Sequence, residues 1–263
     1  MQKIRFGNME LDALFALEES EAGVLTLADL TQRMHLSQEQ AWKLASRLVR
    51  KNRLIRLKRG VYLFAPMKAG REGVWTEDAF ASIPKLMEGK EYYIDFWSAL
   101  NHYGLTEQIP ITVQIVTTSR QRALEALQTR FEFTQVRHIG EWQEEEIGGE
   151  IVRIATIEQL VLDCLTLPEK SGGVKEVCKA LWNAKRKLDW KKLEALASKS
   201  SDAARRRLGY LSELLGMRKL KPGAIVGWRW LDPSAPKKVL GKSAKWGLLL
   251  NVSEEDLIEW REH

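Results

Sequence analysis

One short stretch carries long basic and amide side chains at helical spacing, and these side chains can hydrogen-bond to DNA. Gln40, Lys43, Arg47 and Arg50 follow one another at steps of three or four residues, so a helix would place them on one face. The major groove admits one helix, and amide and guanidinium groups can read base edges there. Residues 33–68 contain ten Lys and Arg against one acid, a net charge of +9 that favours a polyanionic partner.

The elements that must position these side chains follow from apolar spacing and capping residues. Helices are predicted over 9–19, 27–34 and 38–51. Thr26 is a good N-cap for the second helix and Ser37 for the third, where Gln40 completes a capping box. Residues 54–64 are predicted to form two short strands around a basic Lys58-Arg59-Gly60 turn. Three helices followed by a hairpin is the order of a winged helix-turn-helix.

We take the third helix and the hairpin turn as the candidate DNA-binding site. Its residues are Thr26, Ser37, Gln38, Gln40, Lys43, Arg47, Arg50, Lys58 and Arg59. Lys58 and Arg59 would contact the DNA backbone or the minor groove. The alternative interpretation is a solvated helix face beside an ordinary hairpin, or a winged helix that docks a protein.

The rest of the chain mixes helices with strands, which predicts an α+β fold. Strands are predicted over 111–117, 131–137, 151–155, 224–231 and 245–252. Helices are predicted over 92–103, 121–128, 157–165, 174–187, 190–198 and 202–215, with one short helix in the Pro- and Gly-containing stretch 66–91. Glu141 and Glu144–Glu146 are expected in a solvated loop. We predict a winged-helix domain over 1–66 and a mixed domain over 72–263 that divides near residue 168.

The charge distribution suggests a second basic surface towards the C-terminus. The net charge is +5 over residues 1–70, −8 over 71–168 and +9 over 169–263. The candidate residues are Lys185, Arg186, Lys187, Lys191, Lys192, Arg205, Arg206 and Arg207. A polyanion, an acidic protein or plain solvation would each suit such a surface.

Composition limits the class of protein. Of 263 residues, 44% are hydrophobic and 29% are charged, as in folded globular proteins, and this length predicts about one to three domains. Cys164 and Cys178 are too few for a disulfide scaffold or a CxxC zinc pair, and we interpret both as small buried side chains. The sequence lacks an apolar run of membrane-spanning length, and acids stand where a signal peptide would be apolar. We therefore expect a reducing, cytoplasmic location and no membrane partner.

The motifs of enzyme chemistry are absent from the sequence. It has no phosphate-binding loop, dinucleotide fingerprint, nucleophile elbow or HExxH, and its four histidines are not spaced as metal-ligand pairs. The one ExK segment, Glu88-Gly89-Lys90, has glycine at its centre, which predicts a polar turn rather than the strand of a metal-dependent nuclease. We predict a non-enzymatic protein with no catalytic residue, no metal and no cofactor.

Three stretches of the second domain resemble one known family. They are YYIDFWSALNHYGLTEQIPITVQIVTT (92–118), IATIEQLVLDCLTLPEKSGGVKEV (154–177) and RRLGYLSELLG (206–216). They are similar to the body of AbiEi-family antitoxins of type IV toxin–antitoxin systems, which follows an N-terminal winged helix. The resemblance runs from about residue 9 to about residue 252. The chain departs from many relatives at Gln159, where they have Lys.

The resemblance implies a function as well as a fold. It implies a winged helix-turn-helix followed by a mixed α/β antitoxin domain with a helical and small β C-terminal part. It also implies a transcriptional regulator of antiviral defence that binds double-stranded DNA at inverted repeats in its own promoter and represses its operon. The second domain would counter a nucleotidyltransferase-like toxin without a stable complex. The family's DNA-binding positions fall on Gln38, Gln40, Lys43, Arg47 and Arg50 in the third helix and on Lys58 and Arg59 in the wing.

Two other function classes remain open at this stage. The chain would also suit a stand-alone winged-helix transcription factor whose C-terminal domain senses a ligand or a protein. A neighbouring nucleotidyltransferase gene would distinguish the antitoxin from that alternative. The third class is a nucleic-acid-processing enzyme targeted by its winged helix, which metal-dependent cleavage of DNA would reveal.

Overall fold

The computed structural model describes residues 5–19, 23–65, 79–126 and 129–261. Contacts between backbone positions divide the chain into two compact units. Unit 1 comprises residues 1–92, 111–137 and 144–153, and unit 2 comprises residues 93–110, 138–143 and 154–263. The predicted domain boundary between 66 and 72 lies outside the described residues and stays a prediction.

The described residues contain both helices and strands, partly in separate runs, which confirms the predicted α+β class. The first part contains α1 (Asn8–Glu19), β1 (Val24–Thr26), α2 (Leu27–Arg33), α3 (Gln38–Arg50), β2 (Leu54–Lys58), β3 (Val61–Phe64), α4 (Ile83–Leu86), β4 (Tyr92–Ile94), α5 (Phe96–His102), β5 (Thr112–Thr117), β6 (Leu124–Ala126) and β7 (Thr129–Gln135). There follow β8 (Trp142–Ile147), β9 (Glu150–Ala155), α6 (Ile157–Thr166), α7 (Val174–Ala184), α8 (Trp190–Lys199), α9 (Asp202–Leu214), β10 (Arg229–Trp230), β11 (Gly241–Ser243), β12 (Leu248–Leu250) and α10 (Glu254–Ile258). Short 3₁₀ turns span Pro168–Ser171 and Glu259–Arg261.

The described residues of unit 1 up to residue 65 fold as a winged helix-turn-helix. Helices α1, α2 and α3 pack around one apolar cluster that includes Leu14, Leu30 and Leu44, each at most 3% exposed. The strands β1, β3 and β2 form a three-stranded sheet in that order, and both pairings are antiparallel. Burial of this cluster fixes the orientation of α3, because its apolar stripe must face inwards.

The remainder of unit 1 adds further strands and one short helix. Strand β7 pairs in parallel with β5 and antiparallel with β6. Strands β8 and β9 are neighbours joined by a turn at Gly148 and Gly149, both with positive φ, which glycine adopts without a steric penalty. The short helix α4 confirms the helix predicted in the stretch 66–91, whereas residues 66–78 of that stretch lie outside the described residues.

Unit 2 is mainly helical and has its own small sheet. Its core is formed by the apolar faces of α5 to α9, with Leu160, Leu181, Leu193 and Leu211 fully buried. The three-stranded sheet has the order β10–β12–β11, parallel on one side and antiparallel on the other. Strands β4 and β9 also meet in unit 2, in parallel, at the Ile94–Ile154 pair.

A pair of carboxyl groups lies inside unit 2, between the start of α5 and the middle of α6. Asp95 is fully buried, and within the described residues neither of its carboxylate oxygens has a hydrogen-bond partner of good geometry. Its neighbour Asp163 accepts hydrogen bonds from the Tyr93 hydroxyl (2.8 Å) and the Gln159 amide (3.0 Å). Burial, followed by the charge of Asp163, raises the pKa of Asp95 well above its ordinary value. Burial also raises the pKa of Asp163, so the pair favours keeping a proton.

Three stretches differ from the predicted secondary structure. The predicted helix 92–103 is wrong at its start, because Tyr92–Ile94 form strand β4 and only Phe96–His102 are helical. The predicted helix 121–128 is wrong for its described residues, since 121–123 are irregular and Leu124–Ala126 pair with β7. The predicted loop at Glu144–Glu146 is wrong as well, because these acids lie in strand β8. In each case a neighbouring strand supplies backbone partners that the segment's own propensity does not reveal: β7 and β9 follow within a few residues of β6 and β8, whereas β4 pairs with the distant β9.

The C-terminal strands are shorter than predicted. Of the predicted strand 224–231, only Arg229–Trp230 pair in the sheet. Of the predicted strand 245–252, only Leu248–Leu250 do so. Strand β11 and helix α10 were not predicted. By contrast, the predicted strand 111–117 and the helices over 157–165, 190–198 and 202–215 are confirmed within one or two residues.

Candidate nucleic-acid interface

Helix α3 begins with the capping box that the sequence predicts. The Ser37 hydroxyl accepts a hydrogen bond from the backbone N–H of Gln40 at 3.3 Å, and the Gln40 side chain accepts one from the N–H of Ser37 at 2.9 Å. Two unsatisfied donors at the helix start are thereby paired, which stabilises α3 by about 1 kcal/mol. Both side chains are exposed, although the cap already uses one acceptor of each.

The two faces of α3 differ sharply in chemistry. Its inner stripe is apolar and buried, and consists of Ala41, Leu44, Ala45 and Leu48. Its outer face carries polar, basic and aromatic side chains, and consists of Gln38, Glu39, Gln40, Trp42, Lys43, Ser46, Arg47 and Arg50. Since the stripe fixes the rotation of the helix, the outer face is presented to solvent as the spacing predicts. We call this outer face the α3 outer face.

Three basic residues of the α3 outer face differ in the ion pairs that they form with other side chains. Lys43 forms an ion pair with Glu39 at 2.6 Å, and both side chains are exposed. Exposed ion pairs of this kind contribute only about 0–1 kcal/mol, so a phosphate can replace Glu39. Arg47 lies 3.7 Å from the buried carboxylate of Glu10. Arg50 is exposed and forms no ion pair within the described residues.

Glu10 on α1 ties the N-terminal helix to α3. Its carboxylate is 4% exposed and lies 2.5 Å from the Lys51 ammonium, which also donates to the Arg5 carbonyl at 2.6 Å. Burial alone would raise the pKa of Glu10. The hydrogen bonds from Lys51 and from the Gly7 N–H, together with the charges of Lys51 and Arg47, outweigh that effect and lower the pKa. Glu10 therefore stays ionised and holds Arg47 near the edge of the α3 outer face.

The hairpin β2–β3 forms the wing, and its turn lies at Arg59 and Gly60 as predicted. Gly60 has a φ of 76°, a conformation that suits glycine. Arg59 and Arg56 are exposed. Lys58 departs from its predicted role, because its ammonium donates to the Leu86 carbonyl, and desolvation lowers its pKa. Only Arg59 of the predicted pair is therefore presented freely to solvent.

Thr26 serves as the N-cap of α2. Its hydroxyl accepts from the Asp29 N–H at 3.1 Å, while the Asp29 carboxylate accepts from the Thr26 N–H at 2.7 Å. Asp29 also lies 3.8 Å from the Lys85 ammonium. This capping box confirms the predicted start of α2, and the DNA contact predicted for Thr26 remains a prediction.

Trp42 belongs to the α3 outer face but was not among the predicted site residues. Its side chain is 57% exposed, and no hydrogen bond, ring contact or cation contact engages it within the described residues. A depression of about 650 Å³ is lined by Met9, Gln40, Trp42, Lys43, Ser46, Arg47 and Arg50. The signal was present in the sequence, because Trp42 lies off the Ala41–Leu48 stripe on a helical wheel.

The second basic surface requires a correction at two of its arginines. Arg206 and Arg207 are 3% and 4% exposed, so they are part of the interior of unit 2. Arg206 pairs with the Asp202 carboxylate at 2.8 Å and donates to the carbonyls of Val226, Gly227 and Gly247 at 2.8–3.2 Å. Arg207 donates to those of Leu165, Trp230 and Leu231 at 2.6–3.0 Å. These carbonyls satisfy the guanidinium donors, which makes burial of the two charges possible.

The other predicted residues of that surface remain in reach of solvent. Arg186, Lys187 and Lys191 are exposed, although Lys187 donates to the Tyr103 carbonyl at 2.6 Å. Three others have partners: Lys185 lies over the Trp182 ring, Lys192 pairs with Glu141 and Glu158, and Arg205 pairs with Asp202. What this smaller set of residues binds stays a prediction.

Two negative findings concern only the described part of the chain. No three His, Cys, Asp or Glu side chains there are grouped so that they would hold a metal ion. No helix in the same ranges is long and apolar enough to span a membrane. Both cysteines are buried and free, as their sequence context predicts.

The fold and the α3 outer face define a winged helix-turn-helix protein with an α+β body. Residues 12–65 match the family model described as "Transcriptional regulator, AbiEi antitoxin", which supports the predicted family identification. No curated protein matches the chain. Among solved structures, the chain is similar to the crystal structure of the RV2827C protein from Mycobacterium tuberculosis, with a TM-score of 0.72 and 15% identity, over 99% of this chain and 97% of that one. At that identity the likeness concerns the fold alone.

Proposed function

We propose that this protein binds double-stranded DNA through the α3 outer face and represses its own operon. The observation that carries the proposal is the separation of chemistry on α3, where a buried apolar stripe aims Lys43, Arg47 and Arg50 at solvent. Long basic side chains on one exposed helix face suit the major groove in width and in charge. The regulator domain matched at residues 12–65 includes this helix and the wing.

The wing and the local charge support the same proposal. Arg56 and Arg59 are exposed on the hairpin that follows α3. In a winged helix, a basic wing beside the recognition helix neutralises backbone phosphates and releases counterions. Binding is therefore expected to weaken steeply as salt rises, with a slope of roughly −0.9 per phosphate contact.

The operator is proposed to contain inverted repeats in the promoter of the protein's own gene. This part of the proposal comes from the AbiEi resemblance. Two copies of the chain would occupy the two half-sites, since a palindrome presents the same base edges twice. Repression follows if the operator overlaps the site of transcription initiation.

The same chain is proposed to act as the antitoxin of a nucleotidyltransferase-like toxin. The support is the family description of residues 12–65 together with the resemblance of 92–118, 154–177 and 206–216 to antitoxin bodies. The antitoxin role is assigned to the predicted mixed domain, residues 72–263, and it requires no DNA contact. Neutralisation without a stable complex is the form that the resemblance implies.

An anisotropy titration on labelled DNA from upstream of its gene, repeated over a salt series, tests the DNA-binding role. We expect tight binding that depends on the repeats and has a steep salt slope. Reversing charge at Arg47→Glu and Arg50→Glu should abolish specific binding and make the slope shallower by about two contacts. The matched control is Arg186→Glu with Lys191→Glu, an equal charge change on exposed residues of unit 2. Equal affinity of the α3 double variant and the wild type would refute the assignment of α3.

Co-expression with a neighbouring nucleotidyltransferase gene tests the antitoxin role. We expect the full chain to restore growth, and the Arg47→Glu/Arg50→Glu variant to restore it equally when expressed from an unrelated promoter. Rescue by the variant would separate neutralisation from repression. Absence of rescue by the wild-type chain would contradict the antitoxin role and favour a stand-alone transcription factor.

A further inference from the structure

We propose that Trp42 is a specificity-determining residue that contacts the 5-methyl group of thymine in the major groove. The inference rests on the proposed DNA-binding function and adds to it the kind of base that is read. Its starting point is an aromatic side chain, 57% exposed, on a face otherwise made of polar and basic groups.

The position of Trp42 on the helix places it beside the groups that would hold the phosphates. Ser46 lies one turn further along the same side of α3, and Lys43 is the next residue. Together with Met9 of α1, Trp42 supplies apolar surface to a depression whose other lining side chains are hydroxyl, amide or basic groups. DNA held by Lys43 and Arg50 would therefore bring base edges against the indole.

The groups exposed in the major groove determine which base the Trp42 indole would contact. Base edges there present hydrogen-bond donors and acceptors, and the thymine methyl is their one distinct apolar group. An indole gains free energy by burying apolar surface, so it favours a thymine over a cytosine at the contacted position. No cation lies over the Trp42 ring within the described residues, and more than half of its surface is exposed, so a base edge can reach the indole.

The test begins with duplexes that the wild-type protein selects from a random pool. Each selected duplex is then synthesised as a series in which uracil replaces one thymine at a time. Uracil removes only the methyl group. We expect one or two positions per half-site at which uracil weakens wild-type binding by about fourfold, the equivalent of one buried methyl. Trp42→Ala should bind the thymine duplex about tenfold more weakly and be indifferent to uracil at those positions.

Controls separate this inference from the function on which it rests. Trp42→Phe should keep part of the methyl sensitivity, and Phe15→Ala, which removes a 65% exposed aromatic from α1, should leave it unchanged. Uracil sensitivity that is the same in Trp42→Ala and in the wild type would overturn the inference while leaving DNA binding intact. A pool from which no duplex is enriched would overturn both.

Discussion

The buried carboxyl pair of unit 2 predicts that the substitution Asp95→Asn stabilises the protein at neutral and alkaline pH. The Asp95 carboxyl is fully buried, and within the described residues neither of its oxygens has a hydrogen-bond partner of good geometry, while the Asp163 carboxyl beside it repels a second negative charge. An asparagine side chain at this position would keep the shape, remove the charge and offer N–H donors to Asp163. A buried unsatisfied polar group costs about 1–3 kcal/mol, so we expect a gain of that size near pH 8.

The sign of the pH dependence follows from the raised pKa of Asp95. Between the ordinary aspartate pKa, about 4, and the raised value, the folded state binds more protons than the unfolded state. The contribution of the pair to stability is therefore fully present below about pH 4 and is lost as the pH rises through that window. The amide of the Asp95→Asn variant does not titrate, so the free energies of unfolding of variant and wild type should converge towards pH 4 and separate as the pH rises.

The assay is urea unfolding followed by far-UV circular dichroism at several pH values between about 4 and 8.5. The matched control is Asp12→Asn, which removes a carboxyl from the exposed side of α1 and should leave the pH profile unchanged. Parallel profiles of Asp95→Asn and the wild type, or a less stable variant at pH 8, would refute the reasoning.

Three further predictions concern packing, a buried charge and a cap. Gly209→Val should destabilise unit 2 by about 1–3 kcal/mol in urea unfolding, because a Cβ there would lie 2.1 Å from the buried Trp246 ring. Arg207→Lys should cost about 2–4 kcal/mol in the same assay, since an ammonium cannot reach the three carbonyls that the guanidinium holds. Ser37→Ala should lower the midpoint of thermal unfolding, at a cost of about 1 kcal/mol, by removing the acceptor for the Gln40 N–H.

Each of these changes has a matched control. Gly7→Val adds the same side chain where the nearest atom to a Cβ is 3.9 Å away. Arg218→Lys makes the same exchange at an arginine that is 46% exposed. Ser37→Asp keeps a capping acceptor and should restore the midpoint. A control substitution that lowers the free energy of unfolding as much as the substitution it is matched to would contradict the contact proposed for that substitution.

The winged helix was predictable because its determinants are close together in sequence. The capping boxes at Thr26 and Ser37 each involve residues three apart, and the apolar stripe of α3 repeats every three or four residues. The predicted α3 outer face was correct for Lys43, Arg47 and Arg50 for this reason. Trp42 lies on the exposed side of the same helical wheel, although residue type alone favours an aromatic side chain in the core.

The predictions that were wrong depend on partners that lie outside the segment itself. Strand β6 exists because β7 pairs with it, and strand β8 because β9 lies beside it, although their own residues favour a helix and a loop. Lys58 has the spacing of a wing residue, yet the Leu86 carbonyl, 28 residues later, holds its ammonium. No local pattern records such a contact.

The sequence by itself therefore determined the winged-helix order, the caps and the basic α3 outer face, since periodicity and capping act within one or two helical turns. The tertiary structure decided which charges face solvent. Arg205, Arg206 and Arg207 are adjacent and chemically identical, yet only Arg205 remains at the surface, because carbonyls 20 to 42 residues away surround the other two. Burial of a charge requires such partners, and only the folded chain brings them together.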